Sequence, residues 1–383
     1  MNHILIIGVE HHNVYGVLRA LHMKGLTSQV HLLLIGTPAR YIHLSKYISE
    51  GRIVCVPDLE YIVETMNSMD FEGKVVVICC SDASIAYLDE HKDCLDGKYI
   101  LPSAAGIYGG ISQMMSKAVQ ARIASAAGLS CPEGYVHAKG ECVPRSLRFP
   151  CIIKPIDSMI AGKSEICICD DMKTLESALD KSYCSEFFIQ EFIIKKMELQ
   201  FIGCAVNAGR NVVIPGYTRI IRQPANTNTG FLEFVPMDEG IEDDTLKGVK
   251  RMIAEMGYEG LFSVEFVQDH TGRNHFMEIN MRNDGNAVCV TDAGCNLPYI
   301  WYAYSCGMEW TNEAHRSVSG LYCMPVIPDL TMMLKGKVSP LRWIKDVRKT
   351  TSFMDYSPED RGPFMRNLAL FADFLLKRLL RIR

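Results

Sequence analysis

The sequence has no Cys-x-x-Cys pair, no Gly-x-Gly-x-x-Gly turn, no internal repeat and no run of about 18 apolar residues. Without paired cysteine spacing, a zinc ribbon or a thioredoxin-type centre has no ligands. The fifteen cysteines are odd in number and lie in apolar runs such as Val75–Cys80 and Glu165–Asp170. They read as reduced, mostly buried small hydrophobes, which points to a reducing compartment. With no long apolar run, no membrane-spanning helix is expected, and Ile4–Ile7 is too short for a signal-peptide core. A cytoplasmic location is the expectation. A net charge of −4 gives no basic surplus, so no nucleic-acid partner is expected. Wholesale disorder is excluded as well, because 48% of the residues are apolar.

A chain of 383 residues suggests two or three domains. In the first hundred residues, short apolar runs (Ile4–Ile7, Val30–Ile35, Ile53–Val56, Val75–Cys79, Tyr99–Leu101) alternate with helical spacing over Val14–Lys24, Leu59–Ser68 and Ala83–His91. Continuous apolar strands between helices predict a parallel, Rossmann-like sheet. The missing glycine turn argues against a nicotinamide site in it. Residues 111–127 read as a helix carrying Lys117. Beyond Pro132, longer strands come in runs, with helices at Asp171–Lys181 and Asp244–Met256. The fold class is therefore α/β followed by α+β, with expected divisions at 1–110, 111–188, 189–330 and 331–383.

The chemistry concentrates in Gly260–Asp269 and His275–Gly285, two strands joined by a turn at Asp269–Asn274. Residues two apart on a strand share a face. Glu278, Asn280 and Arg282 thus point one way, Ile279 and Met281 the other, and Glu265 approaches the polar face from the partner strand. Two carboxylates and a carboxamide make an oxygen cage suited to Mg²⁺, with Mn²⁺ as the alternative. Lys154 ends the apolar strand Phe149–Pro155, where a lysine is costly unless it meets an anion. The small-residue turn Ile156–Ser164 follows and offers backbone N–H groups. In Phe187–Ile193 the strand is interrupted by Gln190 and Glu191, and Glu198 lies seven residues beyond Glu191. Each piece alone has a bland reading: Glu278 pairing with Arg282 on a wet face, or Lys117 as a surface lysine.

Together and in this order, the segments resemble the ATP-grasp superfamily over residues 100–310, with the Rossmann-like region as its preceding domain. The resemblance implies a two-lobed grasp that binds ATP and Mg²⁺. Lys117 and Lys154 would hold phosphates, and Ser158, Gly162 and Ser164 would belong to the phosphate loop. Gln190, Glu191, Phe192 and Ile193 would read adenine, and Glu198 the ribose. Glu265, Glu278 and Asn280 would hold the metal, with Arg282 near the reacting phosphate. The broader likeness is to the carbamoyl-phosphate-synthase-like group, and Glu278–Gly285 with Thr291–Pro298 resembles the D-aspartate ligase type. The implied activity is ATP-dependent joining of a carboxylate to an amine through an acyl phosphate, with Arg282, and Arg219 or Arg222, holding the acid. An ATP-grasp phosphotransferase and a non-catalytic ATP-binding protein remain open. The polar stretch Asn283–Asn296 leans toward a ligase.

Residues 341–383 hold ten Lys/Arg and five Asp/Glu. Within them Phe364, Leu368, Phe371, Leu375, Leu379 and Ile382 draw one helical stripe, flanked by Lys377, Arg378, Arg381 and Arg383. This C-terminal amphipathic helix is expected to dock on its own domain, on a second subunit in a homo-oligomer, or at an anionic membrane surface through residues 364–383.

Overall fold

Leucine- and β-branched-rich runs build the first sheet. The computed structural model describes residues 2–37, 40–144, 147–156, 166–224, 227, 229–237 and 243–379. Its first elements are β1 (His3–Gly8), α1 (His12–His22), β2 (Val30–Ile35), β3 (Ile53–Val56), α2 (Ile62–Ser68), β4 (Val75–Cys79), α3 (Asp82–Glu90) and β5 (Tyr99–Ile100). The five strands are parallel, in the order β3-β2-β1-β4-β5. Ile4 to Ile7 are fully buried, so the sheet is covered on both faces. Strand order reverses between β1 and β4, which makes the crevice at their C-terminal ends the switch point where α/β sheets place ligands.

After β6 (Ser103–Ala104), the helix predicted over 111–127 is divided. Ser112–Met115 forms a 3-10 turn, Ser116 is extended, and α4 starts at Lys117 and runs to Ala126. The small lobe follows as β7 (Gly134–Ala138), β8 (Cys151–Pro155), β9 (Cys167–Cys169), α5 (Met172–Lys181) and β10 (Glu186–Glu191). Its antiparallel sheet, β7-β10-β8-β9, has a core of its own built from Cys151, Ile153, Leu175, Phe187 and Ile189.

The large lobe comprises β11 (Met197–Val206), β12 (Asn211–Val213), β13 (Gly216–Arg222), β14 (Phe231–Pro236), α6 (Asp243–Met256), β15 (Tyr258–Gln268) and β16 (Asn274–Asn280). It continues through α7 (Val288–Ala293), α8 (Leu297–Ser305), α9 (Thr311–Ala314), β17 (Leu321–Met324), α10 (Val326–Leu334), α11 (Pro340–Lys349), β18 (Ser352–Phe353) and α12 (Arg361–Leu379). Its sheet runs β16-β15-β11-β13-β14-β17-β18, with β12 on β11 and β6 on β15. Between Asn211 and Arg222 the chain forms two strands, β12 and β13, interrupted at Pro215, which has no N–H to give a ladder.

The first sheet and the large lobe are not separately cored. Ile4, Val14 and Leu32 pack in one cluster with Ile202, Leu232 and Trp301, and the Trp301 indole donates to the Val77 carbonyl at 3.1 Å. Residues beyond 330 are woven in too. β18 pairs with β17, and the Asp360 carboxylate accepts from the Ser45 hydroxyl and the Lys46 N–H. The small lobe, with its independent core, is the part most able to move as a unit.

Candidate functional site

The β15–β16 hairpin sets the site. Glu265 stands directly opposite Glu278, and Ser263 opposite Asn280. Between Glu278 and Phe276 the ladder takes up one extra residue, Met277, a bulge beside the carboxylate pair. Two like charges directly across a ladder repel, so this arrangement stores a demand for a cation. The Asn280 amide donates to Glu265 Oε1 at 3.1 Å. Ile279 and Met281 are buried on the opposite side, as the alternation predicts. Among the described residues no three His, Cys, Asp or Glu side chains gather. A divalent ion at Glu265, Glu278 and Asn280 would therefore complete its shell with phosphate or water oxygens, as Mg²⁺ does.

The register extends this polar row. Glu265 pairs with Gln200 on β11, and Gln200 with Thr218 on β13. Gln200 and Thr218 are buried, and the Thr218 hydroxyl has no partner among the described residues. Glu198, two residues before Gln200, shares the face. It pairs with Lys195 and accepts from Gln223 Nε2 at 2.8 Å.

Both lysines converge on this row from other elements. Lys117 begins α4, and one turn later the Gln120 amide clamps the helix to β16. Gln120 donates to the Ile279 carbonyl at 3.0 Å and accepts its N–H at 3.1 Å. This fixes Lys117 beside the strand that carries Glu278. Lys154, on β8 of the small lobe, is 9% exposed and donates to Gln190 Oε1 at 3.0 Å. Burial pushes its ammonium down to about 8, Glu278 pulls it up, Lys117 pushes it down again and Glu265 pulls it up. Two cations from separate elements and two carboxylates thus act on one another across the cleft between lobes. That is the charge pattern of a metal–polyphosphate site.

Arg282 lies two residues past β16 and turns toward the first sheet. It pairs with Asp82 at the start of α3 at 3.2 Å and with Asp284 at 3.1 Å. Burial works against its charge, but Asp82 and Asp284 outweigh burial and hold the guanidinium protonated. Asp284 also accepts from Gln200 at 3.0 Å and Ser263 at 2.9 Å. Asn283 donates its N–H to the Cys79 carbonyl and receives Asn13 on its own carbonyl, which anchors the segment at the switch-point crevice. His11 and His12 line that crevice. Burial lowers the pKa of each, helped by Arg282 at His11 and by His11 at His12. Sequence reasoning missed Asp82, Asp284, Gln200, Thr218 and Gln120. Only the polar run after Arg282 hinted at them.

Other expected residues stand elsewhere. Because Gln200 faces Thr218, its neighbour Arg219, opposite Leu199, points to the other side of the sheet. There it donates to the Tyr217 hydroxyl and lines an open cleft of about 540 Å³ with Glu233 and Tyr322. Arg222 is not gathered into the site. It grips Asp329 through two bonds of 2.8 Å and also pairs with Asp346, tying β13 to α10 and α11. All three of its guanidinium nitrogens are bonded there, away from the polar row of Glu265 and Gln200. Gln190 supports Lys154, and the N–H groups of Glu191 and Phe192 are taken by the carbonyls of Glu133 and Pro150. Ile193 lies in the crossing between lobes. Ser158, Gly162 and Ser164 lie outside the described residues.

Residues 241–321 match the family described as "ATP-grasp in the biosynthetic pathway with Ter operon". Compared by sequence with curated proteins, the chain matches none. Among solved structures it is similar to an L-amino acid ligase from Bacillus licheniformis, at 15% identity and a TM-score of 0.60, covering 84% of this chain and 79% of that one. A second likeness is to the biotin carboxylase domain of Hydrogenobacter thermophilus 2-oxoglutarate carboxylase, in complex with MgADP, ADP and bicarbonate (15% identity, TM-score 0.63, 83% and 73% covered). A third is to N5-carboxyaminoimidazole synthetase from Staphylococcus aureus (13% identity, TM-score 0.61, 88% of each covered). With a Rossmann-like sheet ahead of two lobes that enclose paired lysines and paired glutamates, the chain has the ATP-grasp fold.

Proposed function

We propose that the chain is an ATP-dependent carboxylate–amine ligase that forms an amide or peptide-like bond through an acyl phosphate. The observation that carries this reading is the convergence of Lys117, Lys154, Glu265 and Glu278 across the cleft between lobes. A carboxylate is a poor electrophile, and a phosphoryl group on it makes a leaving group that an amine can displace. Most of the rate then comes from holding a triphosphate, an acid and an amine in line and cancelling their charge. Lys154 and Lys117 bind phosphate oxygens from two sides, and Glu198 receives the ribose hydroxyls. With two hinge N–H groups occupied, the base edge falls to hinge carbonyls and to Ile193. Glu265, Glu278 and Asn280 would hold Mg²⁺, or Mn²⁺, which supplies neutralisation of phosphate charge. Arg282, oriented by Asp82 and Asp284, receives the carboxylate and the negative charge that develops on it.

The partners on this reading are a small carboxylate and a small amine, met in the cytoplasm. A D-aspartate-like acid is the finer reading, supported by the Glu278–Gly285 and Thr291–Pro298 segments alone. The L-amino acid ligase among the similar structures supports carbon–nitrogen bond formation. The test is ADP release across amino acids offered singly and in pairs. ADP is expected only when both partners of a pair are present. ADP release with one acid alone, accompanied by a stable phosphate ester, would defeat the ligase reading.

A further inference from the structure

Residues 326–349 fold as a helical hairpin, α10 and α11, on the exterior of the large lobe. α10 reads Val-Ile-Pro-Asp-Leu-Thr-Met-Met-Leu and is apolar on almost every side, yet Asp329 is its one buried residue. α11 buries none. A helix apolar all round is ordinarily enclosed, but the apolar residues of this one from Val326 to Met333 are only half-buried and Leu334 is exposed. Leu341 is 83% exposed, Leu334 54% and Ile344 44%. Trp343 is half-buried, and its indole N–H is itself buried, without a partner among the described residues. Lys335, Lys337, Arg342, Lys345, Arg348 and Lys349 surround these side chains, and all are exposed. The hairpin's two carboxylates, Asp329 and Asp346, are both held by Arg222. Lys349 lies over the Tyr322 ring and Arg342 stands 3.9 Å from Asp346, which leaves Lys335, Lys337, Lys345 and Arg348 as the outward cations on a chain whose net charge is −4.

We propose that the α10–α11 hairpin is a docking surface for an anionic lipid bilayer. Leu334, Leu341 and Ile344 enter the interface while the lysines and arginines meet lipid phosphates. On α11, Leu341, Ile344, Lys345 and Arg348 recur at three- and four-residue spacing, so apolar and cationic side chains share the outer stripe. A second copy is the rival cover. A two-fold dimer would press this patch against itself, cations against cations, and electrostatics oppose it. The contact is peripheral, since no described helix is long and apolar enough to cross a membrane. It is also distinct from α12, whose Phe364–Leu375 stripe is already half-buried, beginning against Ile42–Leu44. Arg222 gives docking a consequence. It links the hairpin to β13, and the next residue, Gln223, bonds Glu198 at the cleft. The proposal stands whether or not the ligase reading does.

The experiment is co-sedimentation of the full chain with vesicles of phosphatidylcholine alone and of phosphatidylcholine mixed with phosphatidylserine. Wild type is expected to pellet with the mixed vesicles only, and added salt should weaken binding. Lys345→Gln with Arg348→Gln should weaken partitioning about 30-fold, at roughly one headgroup interaction per cation. Leu341→Glu with Ile344→Glu should abolish it, and Phe374→Ser with Leu376→Ser on α12 should leave it unchanged. Circular dichroism and ADP binding report that each variant is folded. The proposal is overturned if wild type stays in the supernatant, if the hairpin variants pellet like wild type, or if the α12 variant alone is lost. A dimer in sedimentation velocity that Leu341→Glu with Ile344→Glu dissolves would assign the surface to a second copy instead.

Discussion

Lys154 provides a test in which stability and ligand affinity must move in opposite directions. Its ammonium is pushed down to about 8 by burial, against an unfolded value near 10.4. Between those values the unfolded chain binds more protons than the folded one, so raising the pH through this window stabilises the free protein. The gain is on the order of 3 kcal/mol at full deprotonation. Nucleotide phosphates require the charged form. Raising the pH from about 7 to 9.5 leaves roughly 3% of Lys154 protonated, and ADP affinity should fall about 30-fold. The measurement is calorimetric titration with ADP across this range, in buffers of different ionisation enthalpy. Near the midpoint, binding should take up about half a proton.

The neighbours of Lys154 make the test specific. Glu278 is the largest influence raising its pKa, so Glu278→Gln should move the inflection to lower pH. Lys117 lowers the pKa, so Lys117→Met should move it up. Lys154→Met should remove the inflection altogether. Affinity that stays flat across the range, or an inflection that survives Lys154→Met, would refute the placement of phosphate at Lys154.

Four further outcomes follow from the geometry. Glu278→Gln should reduce turnover at least about 100-fold, because phosphate charge loses its stabilisation, while chemical denaturation shows equal or slightly higher stability as the repulsion with Glu265 is relieved. Arg222→Met should cost about 3–5 kcal/mol by urea unfolding, since it strands Asp329 and Asp346 without their cation. Arg219→Ala, which removes a side chain 37% exposed and only 3.8 Å from Glu233, should stay within about 1 kcal/mol of wild type. Asp82→Asn should lower kcat about 10-fold with the KM for ATP unchanged, because Arg282 keeps Asp284 but loses the contact that aims it. An equal rise in the KM for ATP would instead place Arg282 on the nucleotide.

The parallel strands of the first sheet were legible because each is a continuous apolar run needing no partner to be recognised; β2, β3 and β4 fall at their expected residues. The β15–β16 hairpin was legible for a related reason. Period-two alternation places Glu278 and Asn280 opposite Ile279 and Met281 from local sequence alone. What periodicity cannot report is register between distant strands, and Arg219 is the example. It stands three residues from Arg222 in a strand of the right composition. Its face is decided by the pairing of Thr218 with Gln200, which no local pattern encodes. The surroundings of Arg222 were hidden for the same kind of reason, since its partners Asp329 and Asp346 lie more than a hundred residues away.

Arg282 shows why this matters for function. Its place two residues beyond Asn280 was readable, but its orientation depends on Asp82, 200 residues earlier in the chain and at the start of α3. The Asn283 N–H on the Cys79 carbonyl and the Asn13 amide on the Asn283 carbonyl hold the same junction. Residues 1–110 therefore cannot be a detachable module that merely precedes the catalytic lobes. They supply a carboxylate that aims the site's arginine, and their core is continuous with the large lobe. A chain lacking them would expose that shared apolar surface and leave Arg282 with one ion-pair partner. The cleft thus rests on three bodies of sequence, and no local pattern in one of them reports its contacts with the other two.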